Sequence, residues 1–304
     1  MRPLNIYDET STLRSVVVGI GSDNGPIPRL EDAYDAKSYD TIIKGIYPTD
    51  EELDPEVEGL ARTLEKEGVE VLRPQEISGI NQIFARDVAF VVEDKLIKAN
   101  IIPDRAAEQQ AYDEIYADID PDKIIVPPEH VHIEGGDVLL MRDKIFLGCY
   151  LSPDYPEYNM ARTNKYAIGF LKEHFPNKDI VPLELIKHDT DPYQGVLHLD
   201  CAFQPVGEDK AILFPGAFRH TEDWEYIFDL YGANNTCVIT RQEMYEMNTN
   251  VFSISPTCVI IDETFTRLRD WLERRGISCI GIPYRQVSKL GGLLRCTTQP
   301  LYRE

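Results

Sequence analysis

One cysteine near the C-terminal end of the sequence has the surroundings of a nucleophile. Cys296 follows a glycine pair, and glycines let a ligand approach the backbone closely. Three other short segments supply histidines and acids: Phe84-Ala85-Arg86-Asp87, His132-Ile133-Glu134-Gly135-Gly136-Asp137 and His198-Leu199-Asp200. A thiol, an imidazole and carboxylates are the parts of a cysteine-dependent catalytic site. The number of carboxylates predicts a cationic electrophile.

Each of these residues also has a purely structural explanation. A lone cysteine such as Cys296 is more often a buried apolar residue than a nucleophile. His198 taken alone would be an ordinary strand histidine, although Asp200, two residues on, could orient its imidazole. Glu134 could serve a turn, and Arg86-Asp87 could be a surface ion pair. Only the convergence of these segments distinguishes a site from a set of unrelated residues.

A metal or phosphate site is a weaker interpretation of the same residues. The His-x-acid spacings of His132/Glu134 and His198/Asp200 could chelate a cation from a strand. No Cys-x-x-Cys and no helical His-x-x-x-His pattern accompanies them, and the sequence has no glycine-rich phosphate loop. The sequence therefore predicts neither a metal nor a cofactor.

The elements that must position these residues repeat along the chain. Two β-prone runs around a short polar turn predict hairpins at residues 88–99, 138–148, 202–214 and 251–261. Between hairpins, a helical apolar spacing is followed by a short β-prone run. These helix and strand pairs are predicted at residues 56–72, 106–127, 167–182, 222–239 and 265–283.

The two ends of the chain supply the missing hairpin. Ser15–Gly19 and Leu293–Thr298 have no partner nearby, and pairing them completes a fifth unit. Five units of hairpin, helix and strand around an axis predict an α/β fold, a five-bladed α/β propeller with pseudo-fivefold repeats. The alternative is an ordinary mixed α/β sandwich. No linker tract divides the chain, so residues 1–304 are expected to form a single catalytic domain.

The composition and net charge limit the classes of partner that the protein is expected to bind. The 304 residues are 43% hydrophobic and carry a formal net charge of −21, which disfavours nucleic acid and anionic membranes. Neither a signal peptide nor an apolar run of about 18 residues is present. The six cysteines form no Cys-x-x-Cys pair, which indicates free thiols and a cytoplasmic location. Assembly as a homo-oligomer stays open.

The motifs together resemble the guanidino-group-modifying enzymes, the arginine deiminase and amidinotransferase superfamily, whose fold is the pentein five-bladed α/β propeller. The matching segments stand in the family's order: Phe84–Asp87, Ile133–Val138, Arg162-Thr163-Asn164, His198–Asp200 and Gly291–Thr297. The second and third are most similar to dimethylarginine dimethylaminohydrolases. Asp200 is instead similar to the acid of deiminases and amidinotransferases, and a compact citrulline-hydrolysing branch also fits.

The resemblance implies five catalytic residues. Cys296 would attack the guanidinium or ureido carbon, and His198 would protonate the leaving group and then deprotonate water. Glu134 and Asp87 would hold the guanidinium nitrogens, and Asp200 would be the acid beside the histidine.

The resemblance also implies substrate contacts. Arg162 would grip the substrate's α-carboxylate, with help from Arg86, and Phe84 and Gly292 complete the predicted binding set. Residues 21–47 are either a lid over the site or surface packing.

The expected activity is hydrolysis at the terminal guanidino or ureido carbon of arginine, a methylated arginine or citrulline. The alternative is an amidinotransferase, in which an amine rather than water resolves the same adduct. A non-catalytic propeller that binds a ligand is a third hypothesis from another class. The expected partner is a small guanidino or ureido amino acid.

Overall fold

The computed structural model describes residues 1–152 and 158–304. The strands in these ranges are β1 (Leu13–Val18), β2 (Glu70–Leu72), β3 (Ala89–Val92), β4 (Lys95–Lys98), β5 (Ile124–Ile125), β6 (Val138–Met141), β7 (Lys144–Cys149), β8 (Asp179–Glu184), β9 (Phe203–Val206), β10 (Lys210–Leu213), β11 (Thr236–Val238), β12 (Phe252–Ser255), β13 (Cys258–Asp262), β14 (Ser278–Ile282) and β15 (Thr298–Arg303).

The helices in the same ranges are α1 (Ala36–Ile43), α2 (Asp50–Lys66), α3 (Ala85–Val88), α4 (Asp113–Ala117), α5 (Tyr166–His174), α6 (Thr221–Tyr231), α7 (Arg241–Tyr245) and α8 (Thr266–Glu273). Short 3-10 helices are found at Leu30–Asp32, Pro103–Tyr112, Pro121–Lys123, Gly135–Asp137, Leu199–Cys201, Pro215–Ala217 and Val287–Leu290.

The described strands form five three-stranded sheets of one topology. In four of them an antiparallel hairpin is followed by a third strand parallel to the second: β3-β4-β5, β6-β7-β8, β9-β10-β11 and β12-β13-β14. In the fifth sheet, β15 pairs antiparallel with β1, and β2 lies parallel to β1. The mixed α/β class and the pairing of the two terminal strands are confirmed, and the five similar sheets fit the predicted repeat.

Helix α2 illustrates how the connecting helices cover the sheets. Leu53, Val57, Leu60 and Leu64 recur every three or four residues and are all buried. The helix begins six residues before the predicted start at residue 56, because the Glu52 carboxylate accepts a hydrogen bond from the Thr49 amide at 3.0 Å and caps the first turn.

The predicted helix over residues 106–116 is wrong over most of its length. A 3-10 helix occupies Pro103–Tyr112, and α4 follows it. Side chains three residues apart lie directly above one another in a 3-10 helix. Arg105 and Glu108 therefore meet in a buried bidentate pair at 2.7 and 2.8 Å.

The predicted strand over residues 293–298 begins only at Thr298. The preceding residues form a turn, since the Thr297 and Thr298 hydroxyls donate to the carbonyls of Leu293 and Leu294 at 2.8 and 3.1 Å. Such local side-chain bonds compete with strand pairing. Cys296 therefore lies in a turn before β15 and not in the strand itself.

The apolar interior is shared by two clusters of buried side chains, one packed mainly around β9 to β14 and α2, the other around β3 to β7 and α5. Within the described ranges, no helix has the length and apolar character needed to cross a membrane.

Candidate active site

Short turns place the predicted catalytic residues at equivalent points of different sheets. Asp87 lies in α3, just before β3, and Glu134 caps the 3-10 helix that leads into β6. His198 caps the 3-10 helix before β9, and Cys296 lies in the turn before β15. All four side chains are buried. The repeat of the sheets thus brings together residues that are distant in sequence.

His198 is held between two carboxylates. Its Nε2 lies 2.8 Å from Oε2 of Glu134, and its Nδ1 lies 3.7 Å from Oδ1 of Asp87. Burial alone would lower the pKa of this imidazole, but three neighbouring carboxylates outweigh burial and raise it, and they belong to Asp87, Asp137 and Glu134. The geometry favours an imidazolium that can donate a proton.

We expect the His198 imidazole to titrate above the usual histidine range of about 6.5. Because the folded protein then holds the proton more tightly than the unfolded chain, the stabilisation is complete below about pH 6.5 and is lost as the pH rises through the folded-state pKa. An NMR titration of the ring protons measures this directly. Asp87→Asn should lower the midpoint, and an unchanged midpoint would contradict the carboxylate explanation.

Cys296 is fixed by two polar neighbours. The Asn250 side-chain amide donates to Sγ at 3.1 Å, and the Cys296 backbone amide donates to the Asn250 side-chain oxygen at 3.1 Å. Oδ2 of Asp200 lies 3.6 Å from Sγ. Burial, and then the charge of Asp200, raise the pKa of this thiol well above its usual range. The group is therefore a neutral thiol until a cation enters beside it.

Asn250 was missed by the sequence analysis, although a signal for it exists. It lies just before β12, at the point of the sheet where Asp87, Glu134 and His198 lie in the others. Asn250 also donates to the Asp200 carbonyl at 3.5 Å. The hairpin repeat, followed to its remaining member, would have identified this residue.

Asp87 offers one open carboxylate oxygen. Its Oδ2 accepts from Arg105 at 2.7 Å, whereas Oδ1 has no hydrogen-bond partner although it is buried. Arg105 in turn is paired with Glu108. A buried acceptor without a hydrogen-bond donor is rare in proteins, and here Nδ1 of His198 lies 3.7 Å from the oxygen. No feature of the sequence pointed to Arg105 or Glu108.

Arg162 has contacts that differ from its predicted role. Its Nη1 lies 3.1 Å from Oε2 of Glu134, its Nη2 donates to the Tyr34 carbonyl at 2.6 Å, and its Nε donates to the Asn159 carbonyl at 2.6 Å. Both members of the pair with Glu134 are fully buried. Burial opposes ionisation of Glu134, but Arg162 and His198 reverse this effect and lower the pKa of the carboxyl well below its usual range.

The remaining predicted contacts divide into two groups. The Phe84 ring packs on Gly292, where an added Cβ would lie 2.2 Å from a ring carbon. The glycine is thus required for this close approach. Arg86 contacts the turn that carries Cys296: its backbone amide donates to the Cys296 carbonyl at 3.0 Å and its Nε to the Arg295 carbonyl at 3.4 Å. Its side chain also lines a small cavity with Glu9 and Arg303.

Gly136 packs directly against the imidazole ring of His198. An added Cβ would lie 2.6 Å from Cγ and Nδ1 of His198. We expect Gly136→Ala to displace the ring from Glu134 and to lower the free energy of unfolding by about 1–3 kcal/mol, measured by denaturant titration. Gly59→Ala is the matched control, because a Cβ there meets no atom within 4 Å. It should stabilise α2 by about 0.5–1 kcal/mol. Equal effects of both substitutions would contradict this explanation.

Residues 30–43 lie across the site. The Tyr34 carbonyl accepts from Arg162, and Thr41 donates to the Lys289 carbonyl at 3.0 Å. Lys37 donates to the Tyr245 carbonyl at 2.8 Å. A cavity of about 40 Å³ lies between this segment and Cys201, and a second, of about 210 Å³, lies between it and residues 79–81. This segment lies inside the region in which the sequence suggested a lid.

Asp87, Glu134 and His198 also have the spacing of a metal site, with one ligand atom from each within 4.8 Å of the others. Arg105 already pairs with Asp87, and Arg162 pairs with Glu134. Since these guanidinium groups already supply positive charge to the carboxylates, the arrangement is better suited to N–H donors than to a divalent cation.

Sequence comparisons connect the chain to arginine-converting enzymes at a distance. No protein-family model matches it. The protein YkgA of Bacillus subtilis, which is uncharacterised, is 27% identical over 248 residues, covering 80% of this chain and 78% of YkgA. The arginine deiminase of Mycoplasma capricolum is 25% identical over 200 residues, covering 57% of this chain and 47% of the deiminase.

Solved structures share the fold. The N-terminal domain of ArgZ, an arginine dihydrolase from cyanobacteria, matches with a TM-score of 0.78 at 14% identity, covering 95% of this chain and 98% of that domain. The inosamine-phosphate amidinotransferase StrB1 of Streptomyces griseus matches with a TM-score of 0.76 at 16% identity, covering 99% and 97%. AgrE, solved with ornithine and NAD⁺, gives 0.77 at 17% identity, but this chain spans only 39% of its length.

The resemblance to the guanidino-group-modifying (pentein) superfamily that the motifs predicted is therefore confirmed. The chain has the mixed α/β fold of the ArgZ and StrB1 structures.

Proposed function

We propose that this protein is a cysteine-dependent enzyme that hydrolyses the terminal guanidino or ureido group of arginine, a methylated arginine or citrulline. The observation that carries the proposal is the convergence of four buried groups from three sheets: the Cys296 thiol before β15, the His198 imidazole and Asp200 carboxylate before β9, and the Asp87 carboxylate before β3. Burying so many ionisable groups in one place is costly unless a cationic ligand uses them.

In the first step a guanidinium enters between the carboxylates. Its positive charge favours ionisation of Cys296: the thiol proton passes to solvent water, and the sulfur then bonds to the central carbon. The bond from that carbon to the leaving nitrogen breaks, and His198 donates its proton to the departing amine. The product of this step is a thiouronium adduct on Cys296 and a neutral imidazole.

In the second step the neutral His198 takes a proton from water. The hydroxide adds to the adduct carbon, the bond from carbon to sulfur breaks, and the Cys296 thiolate is regenerated. The second proton of the water passes from the product oxygen to the Cys296 sulfur. The neutral thiol and the protonated His198 of the starting state are thereby restored. A related covalent chemistry occurs in ArgZ, which has been solved covalently bound to a reaction intermediate.

The contacts favour other roles for the three acidic residues than those that the resemblance implied. Both oxygens of Glu134 are engaged, by Arg162 and His198. Asp87 keeps an open oxygen, and Asp200 lies beside the thiol. We therefore assign guanidinium binding to Asp87 and Asp200, and orientation of the imidazole to Glu134.

The same proposal covers the architecture. The five sheets would form the blades of one closed propeller domain over residues 1–304, with the site on its axis. Contacts between neighbouring sheets, such as the bridge from Asn100 to Ile133 and that from Leu185 to Phe218, support this arrangement. Residues 30–43 would be the lid, because they contact Arg162 and line the cavity beside Cys201.

An amidinotransferase is the second candidate. The observation that favours it is the match to StrB1, which covers nearly all of both chains. In that reaction an amine acceptor would replace water in the second step. A non-catalytic binding propeller is less well supported, because it would not need the thiol beside an acid and an imidazole.

Product analysis tests these functions directly. The protein is incubated with arginine, monomethylarginine, dimethylarginine, agmatine or citrulline, each with and without glycine or ornithine as acceptor. Product without an acceptor identifies a hydrolase and its substrate. Product only with an acceptor identifies an amidinotransferase, and no product under any condition overturns both.

A further inference from the structure

Arg295, the residue before Cys296, is buried and binds several polar groups at once. Its guanidinium is 1% exposed. It forms a two-pronged pair with Glu9, at 3.1 Å from Nε and 3.0 Å from Nη2, and its Nη1 donates to Oδ2 of Asp200 at 2.9 Å. It also donates to the Val138 carbonyl at 2.7 Å. Such planar bidentate pairing fixes position as well as charge.

The Asp200 oxygen that Arg295 holds is the one that faces the thiol. Oδ2 accepts from Arg295 and lies 3.6 Å from Sγ of Cys296. An uncompensated carboxylate at that distance would oppose the formation of a thiolate. Arg295 supplies a compensating positive charge at this same oxygen.

Glu9 holds this arrangement from the N-terminal segment. Besides Arg295, it accepts from the Leu140 amide at 3.2 Å. Burial opposes its ionisation, but Arg295 and other cations lower its pKa to about 2. Glu9 is therefore charged at neutral pH and shares the guanidinium with Asp200.

We propose that Arg295, held by Glu9, is a positioning residue that fixes the Asp200 carboxylate beside Cys296 and reduces the extent to which its charge suppresses thiolate formation. The ionisable groups that face the thiol are Asp200, Cys201, Asp87 and Tyr284. Those that face Arg295 and Asp200 from the other side are Glu9, Arg86 and Arg303. Among Arg86, Arg295 and Arg303, the guanidinium that forms an ion pair with Asp200 is that of Arg295.

The test measures the thiol itself and needs no substrate, so it stands apart from the proposed activity. Alkylation of Cys296 by iodoacetamide is followed by peptide mass spectrometry at fixed pH. Arg295→Met should slow alkylation about tenfold, because Asp200 loses its counter-charge. Arg295→Lys should recover part of the lost rate, since lysine keeps the positive charge but not the two-pronged pair with Glu9. A merely structural role predicts the opposite, since loosened packing exposes the thiol and speeds alkylation.

A double-mutant comparison isolates the path through Asp200. Asp200→Asn should speed alkylation, and adding Arg295→Met to it should then change the rate by less than about twofold. Glu9→Gln should speed alkylation about threefold, because Arg295 then gives all its charge to Asp200. No acceleration would overturn the role of Glu9.

Cys149 is the internal reporter of general loosening, because it is buried away from Arg295 at the end of β7. Its alkylation should stay constant in all variants. If the alkylation rate of Cys149 rises in Arg295→Met, that variant is loosened. The Cys296 alkylation rate of Arg295→Lys relative to the wild type then tests the proposal. An equal slowing by Arg295→Met with and without Asp200 overturns the proposal.

Discussion

Replacement of Cys296 by serine is expected to abolish product formation, with a loss of about 10,000-fold or more. Serine keeps the size of the side chain and its hydrogen bond from Asn250, so the fold should be retained. The hydroxyl is much harder to ionise than a thiol and stays protonated beside Asp200. The measurement is the rate of product release with the best substrate of the panel, together with the mass of any covalent adduct.

Cys201→Ser is the matched control. The Cys201 sulfur is also buried and lies 3.6 Å from the other oxygen of Asp200, yet it belongs to the turn before β9. We expect it to keep activity within about tenfold, since it takes no part in bond making. If the Cys296 variant keeps the wild-type rate, the covalent mechanism is wrong.

Replacement of Glu134 by glutamine should damage both stability and activity. It leaves the buried Arg162 guanidinium without its carboxylate, which costs about 3–5 kcal/mol of unfolding free energy. It also replaces the charged acceptor that holds His198 with a neutral amide, which lowers the pKa of the imidazole, and an impaired general acid slows the reaction about 100- to 10,000-fold. Denaturant titration and product formation measure the two effects separately.

Glu184→Gln provides a comparison at the surface. Glu184 also accepts from a histidine, His220, at 2.9 Å, but that histidine side chain is 55% exposed. A solvated pair of this kind contributes at most about 1 kcal/mol. Similar losses of stability in both variants would mean that the burial of Glu134 and Arg162 is not what makes their pair important.

The hairpin repeat was the most informative part of the sequence. Alternating β-prone runs around short turns identified all four local hairpins, and the unpaired terminal runs identified the fifth. Turn and strand preferences are local, so they can be seen in one sequence. The helical pattern from residue 106 failed because the buried pair between Arg105 and Glu108 favours a 3-10 geometry that periodicity does not reveal.

The sequence predicted those site residues that belong to short glycine-containing or His-acid motifs. It did not predict those whose importance depends on packing in the folded chain. Cys296, Glu134 and His198 belong to short, punctuated motifs, and the structure brings their segments together. Glu9 and Arg105 stand in no motif, because their importance comes only from the buried partners that the fold supplies. The partners of Arg162 likewise follow from the position of Tyr34, which no local pattern encodes.

The antiparallel pair of β1 and β15 has a consequence for synthesis. Leu13 opposes Arg303, so a strand made among the first residues waits for one made almost 290 residues later. Cys296 emerges from the ribosome just before that strand. During translation, the first sheet therefore stays incomplete until β15 has been made. A nascent chain released before Cys296 is made would lack both the completed first sheet and the candidate nucleophile.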